Sequence, residues 1–105
     1  MEQYTLCKEL AHVFLTASSH QFHCLLKTLN NKQTKLIGSI CYNLLHNKTI
    51  VLTDKEKKIL RRHLEIYILI SDKRKTYKFR REIISRNPKS IKKALKVFSL
   101  FNERI

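Results

Sequence analysis

The sequence predicts an all-α fold, a compact bundle of about five or six short helices with a basic C-terminal half, on three observations. Apolar residues recur at helical spacing in each segment long enough to show a period. One Gly and one Pro among 105 residues leave little material for hairpins or phosphate-cradling loops. Helix-start signals stand where the periodic segments begin: Ser18 with Gln21, and Thr53 with Glu56, are capping boxes. In such a box the hydroxyl oxygen accepts from the third helical N–H, and the longer side chain reaches back to the cap's own N–H. The length suits one helical domain over 1–105, with a near-neutral helical core at 1–48 and basic helices at 53–105.

In chain order, the first helix is expected over Glu2–Leu15, where Leu6, Leu10, Val13 and Phe14 share a face. Thr16–Ser19 breaks it, and Phe22, Leu25, Leu26 and Leu29 give the apolar stripe of a second. Asn30 and Asn31 form a turn, because both side chains can bond the local backbone. A third helix carries Leu36, Ile37, Ile40, Cys41, Leu44 and Leu45 and ends at His46–Lys48, before an extended connector at Thr49–Leu52. Gly38 lies inside it; at about 1 kcal/mol relative to Ala, it marks a close helix crossing.

The central helix is expected to start at Asp54 and to end before Ser71. Projected at about 100° per residue, Ile59, Leu60, His63, Leu64, Ile66, Tyr67 and Ile70 share one face, and Lys57, Lys58, Arg61 and Arg62 the other. After a turn at Ser71–Lys75, Thr76 caps a helix over Tyr77–Arg86. Asn87 then caps a last helix with Pro88 in its first turn, where the missing N–H does no harm. That helix sets Ile91, Ala94, Leu95 and Phe98 against Lys89, Lys92, Lys93 and Lys96.

Lys and Arg number 22 against 8 acids, a formal charge of +14, and such self-repulsion in a small domain favours a polyanionic partner. The charge is uneven. Residues 1–52 hold 5 Lys, no Arg and 2 acids; residues 53–105 hold 17 basic and 6 acidic residues. Arg61, Arg62, Arg74, Arg80, Arg81 and Arg86 fall within 26 residues, and guanidinium forks match phosphate oxygens. No apolar run approaches the roughly 20 residues of a membrane span, and the N-terminal residues lack a secretory layout. An intracellular, reducing location without secretion is therefore expected, with Cys7, Cys24 and Cys41 reduced and mostly buried.

His20, His23 and Cys24 stand at i, i+3 and i+4, a spacing that could offer zinc ligands from one helix face. The local sequence lacks a fourth ligand, so surface histidines beside a buried cysteine are the expectation, and no metal or other cofactor is assigned. Cys24 with His20 lacks the orienting group and oxyanion site of a nucleophile pair. His63 is expected as a core or interface histidine whose ring nitrogen finds a carbonyl. No catalytic residue and no enzymatic activity are expected.

The run NLLHNKTIVLTDKEKKILRRHLEIYILISDKRK, Asn43 to Lys75, resembles a family of small basic proteins encoded by Maverick or Polinton elements and adintoviruses. It shares their Asn-x-Leu helix end, short connector, Leu-Thr, basic run into Leu-x-Arg-His, and apolar spacing closing on Asp-Lys. That family is regarded as related to the adenovirus virion core protein X, a small DNA-condensing protein. The resemblance implies a viral or transposon genome-packaging protein of the virion core or host nucleus, with other virion or capsid proteins as further partners. After the last basic run this chain departs from the family: Asn87-Pro88 opens a lysine-rich helix where a Gly-Gly and an apolar tail are expected.

The expected function is sequence-independent binding of duplex DNA through its phosphate backbone, by Lys57, Lys58, Arg61, Arg62, Lys73, Arg74, Lys75, Lys78, Arg80, Arg81, Lys89, Lys92, Lys93 and Lys96. No zinc finger, RNP motif or recognition helix is legible. The alternative is a helical assembly module of a virus-like particle whose basic face meets an acidic protein. A basic amphipathic membrane-surface binder is the third class, and an oligomer is compatible with all of them.

Overall fold

The central stretch forms two helices. In the computed structural model, which describes residues 2–104, α4 covers Asp54–Arg62 and α5 covers Leu64–Ser71. His63 between them leaves helical geometry at φ −113°, ψ 20°. The two halves of the stretch need different surroundings. α4 is apolar along one stripe and lies on α7, whereas α5 is apolar on nearly every side and packs against both α3 and α6. One straight helix cannot meet both demands. The break costs the single-face projection: Leu60, Tyr67 and Ile70 are buried, but Leu64 is 40% exposed.

The other helices are α1 Glu2–Thr16, α2 Ser19–Lys27, α3 Asn31–His46, α6 Tyr77–Arg86 and α7 Pro88–Arg104. With α4 and α5 they make seven among the described residues, not five or six, and no strand accompanies them. Both predicted capping boxes form: Ser18 Oγ accepts from Gln21 N at 3.2 Å, and Thr53 Oγ1 from Glu56 N at 3.2 Å. A third box stands where the sequence suggested only a turn, since Asn30 Oδ1 accepts from Gln33 N at 2.8 Å and Gln33 Oε1 from Asn30 N at 3.0 Å. Thr76 caps α6 as expected. Asn87 turns its side chain the other way, donating to Ile83 O at 2.7 Å, and closes α6 while its backbone carbonyl accepts from Ile91 N.

The core draws on both halves of the chain. α1 packs on α3 and α7, α2 on α6, and α3 runs through the middle against α5, α6 and α7. Phe14, Phe22, Leu26, Ile37, Ile40 and Cys41 meet Tyr67, Ile70, Ile84, Ile91, Leu95 and Phe98, all buried. Tyr4 and Phe98, and Phe14 and Phe22, meet edge to face at centroid distances of 5.9 and 6.2 Å, the favoured arrangement of ring quadrupoles. Gly38 marks the tight crossing of α3 and α5: a Cβ there would lie 3.0 Å from Ile70 O. The principal extents, 31 × 29 × 28 Å, are those of a globule, and no helix among the described residues is long and apolar enough to cross a membrane.

Candidate nucleic-acid interface

α4 is the most one-sided of the basic elements. Its first-turn acids suit the positive end of the helix dipole, and the capping box turns Glu56 inward, leaving it 5% exposed. There Glu56 accepts from Arg104 Nη1 and Nη2 at 2.9 Å each, and from Thr53 N at 2.9 Å. The Arg104 hydrogen bonds, foremost, hold its carboxyl below the usual carboxylate range, against desolvation. Arg104 also donates to Val51 O at 3.2 Å, so the end of α7 clamps the connector and the start of α4. The outer face is left with Lys57, Lys58, Arg61 and Arg62, all exposed and without an acidic partner among the described residues.

His63 joins this face to α7. Its Nδ1 lies 2.7 Å from Ser90 Oγ, and Tyr67 donates its hydroxyl to Ser90 O at 2.7 Å. The expected carbonyl partner is thus a serine hydroxyl, and Nε2 is buried without a partner. Desolvation, then the charges of Lys93 and Arg62, lower the His63 pKa. The His63–Ser90 contact sets α4 beside α7, on which Lys89 and Lys96 are exposed and Lys93 is half-buried.

The remaining predicted contacts are dispersed. Asp72 binds Arg74 at 3.1 and 3.2 Å, which ties that guanidinium to a carboxylate, and Lys75 Nζ lies 5.3 Å over the Phe79 ring. Lys78 shares a cleft between α2 and α6 with Lys27, Glu82 and a half-buried Arg81 that donates to Asn31 Oδ1. Lys92 is half-buried, its Nζ 5.6 Å from the Phe22 ring centroid, and Lys73 is exposed in the turn between α5 and α6. Arg80, expected on the surface, is 6% exposed. Tyr77, one turn before it, covers its guanidinium at 4.6 Å.

Lys27, Lys35 and Lys48, from the half with little charge, stand beside predicted contacts. Only tertiary packing brings them there; local sequence carries no signal for it. The Tyr77–Arg80 spacing was such a signal for stacking. Lys48, Lys57 and Arg61 also rim an apolar groove of about 470 Å³ lined by Leu44, Leu60 and Leu64.

The cysteines differ from one another. Burial pushes the Cys7 thiol up to about 11 and the Cys41 thiol up to about 12, which leaves both unreactive. Cys24 is exposed, contrary to expectation, with Sγ 3.7 Å from His20 Nε2. His23 turns to the edge of Phe22, and no group of three metal-ligating side chains forms among the described residues. Comparison with protein-family models, curated proteins and solved structures finds no match.

Proposed function

We propose that this protein binds duplex DNA through the phosphate backbone without sequence preference, the α4–α7 face making first contact. The observation that carries the proposal is an α4 face on which Lys57, Lys58, Arg61 and Arg62 are all exposed while Glu56 is turned inward to Arg104, set against α7 by the His63–Ser90 contact. A run of cations without intervening carboxylates attracts a polyanion and releases its counterions on binding. With cations also on other sides of the globule, one molecule can meet two duplex segments. This suits genome condensation in the virion core or host nucleus, the role implied by the resemblance to the Polinton and adintovirus family. None of this requires a reaction, and the DNA contacts are those of a packaging protein, not an enzyme.

The groove rimmed by Lys48, Lys57 and Arg61 favours a second use, as an assembly module. Its apolar floor and cationic edge fit an amphipathic acidic helix of another particle protein. Binding of random-sequence duplex across a salt series tests the first proposal. Affinity should fall steeply with salt and change little with sequence; a flat salt response, or one sequence preferred by orders of magnitude, would exclude backbone binding.

A further inference from the structure

Arg80 is a buried cation that pairs with no carboxylate among the described residues. It lines a cavity of about 520 Å³ between α3, the end of α5 and α6, together with Lys35, Gly38, Ser39, Lys73 and Tyr77. Its Nε is buried and bonded to nothing, and neither ion pair among the described residues involves it. The Tyr77 ring offers its face to the guanidinium, which offsets part of the charge. The N–H donors, however, point outward in the plane of the guanidinium, where a ring stacked on its face does not reach them.

The walls repeat the same sign. Lys35 and Lys73 add two ammonium groups, and no described carboxylate lines the cavity. Ser39 Oγ accepts from Gln3 Nε2 at 2.7 Å, which leaves the serine proton free to donate. Gly38 keeps the wall open: a Cβ there would stand 3.4 Å from Arg80 Nη1. A desolvated guanidinium is strongly unfavourable alone and favourable against an oxyanion that takes two of its N–H groups.

We propose that this cavity is a binding site for a phosphate-class oxyanion, with Arg80 as the buried fork, Lys35 and Lys73 as flanking cations, and the Ser39 hydroxyl as a neutral donor. The site is separate from the α4–α7 face and does not depend on the DNA-binding proposal. Its phosphate has two sources, the free ion or a nucleic-acid strand, with the same chemistry at the guanidinium.

The test is a titration of the full chain with inorganic phosphate at ionic strength held constant by sodium chloride, followed by backbone amide chemical shifts and thermal unfolding. Saturable shifts at Lys35, Ser39, Lys73 and Arg80, with a rise in Tm beyond that in chloride alone, are expected. Arg80→Met should weaken both while unfolding no lower than the parent in phosphate-free buffer, because the substitution removes an unpaired buried charge. Losing an ionic hydrogen-bonding partner should weaken phosphate binding about 10- to 100-fold.

Shifts no larger than chloride produces, or an Arg80→Met protein that keeps the phosphate response, overturn the proposal. Should Arg80→Met fail to fold, Lys35→Gln and Lys73→Gln decide, since both lysines are exposed; unchanged phosphate affinity in both also overturns it. A short duplex that displaces bound phosphate identifies the strand as the source, whereas a duplex that leaves it in place identifies the free ion. Because phosphate alone is the primary probe, failure here leaves the duplex salt series unaffected, and the reverse.

Discussion

Leu60 and Leu64 stand one helical turn apart, and the turn at His63 gives them different fates. Leu60 is 5% exposed, between α4 and the core, so Leu60→Ala should lose about 2 to 5 kcal/mol. Leu64, outside the break, should lose under about 1 kcal/mol on the same change. Chemical unfolding of the two variants tests this; equal losses would mean that the stretch is one continuous helix. His63 itself makes stability depend on pH. Its folded pKa lies below the ordinary 6.5, so above that value both states are neutral and no stability depends on it. Below it the unfolded chain takes up a proton that the folded chain resists, and stability falls. Tm should therefore decline from neutral pH toward about 5, and His63→Gln should flatten that decline. An unchanged slope in the variant would remove His63 as its source.

At the scale of elements, the starts of helices were legible because caps are local: Ser18, Thr53 and Thr76 bond atoms three residues away, and all three cap as expected. The Asn30–Gln33 box was less legible, since asparagine serves turns and caps alike. The break at His63 had no local signal. No Gly, Pro or side-chain cap marks it; the packing of α4 and α5 on different neighbours sets it, and the partner His63 finds there is a hydroxyl on α7, 27 residues away. Of the fourteen predicted contacts, those of α4 could be placed on a surface from periodicity alone. Arg80 could not, because a basic residue on a polar helix reads as solvated until the helix covering it is known.

The α4 face gives the element-scale prediction. Arg61→Gln with Arg62→Gln keeps length and helix propensity and touches no core residue, so folding should be nearly intact. If both guanidinium groups contact phosphates, the slope of log affinity against log salt should flatten by about 0.9 for each contact, alike for all duplex sequences. A folded double variant with the parent's affinity and slope would move the interface to the lysines of α7.

For the whole molecule, the charge asymmetry of the sequence suggested a division of labour, helices one to three as the core and the later ones as the basic surface. Composition cannot show who packs against whom. The buried set places Ile37 and Ile40 of α3 among Tyr67, Ile70, Ile84, Leu95 and Phe98 from the basic half, and α1 and α2 reach their main partners in α7 and α6. The first three helices alone would therefore expose most of the apolar surface that α5, α6 and α7 cover, and a fragment of some fifty residues already buries too small a share of its surface to be secure. Residues 1–52 made as a separate peptide should show weak helical circular dichroism and no cooperative thermal transition, whereas the full chain unfolds in one step. Mixing that peptide with residues 53–105 should restore helicity, since the two halves complete one core. A peptide 1–52 that melted cooperatively by itself would mean that the near-neutral half is a core in its own right and that the basic helices are additions to it.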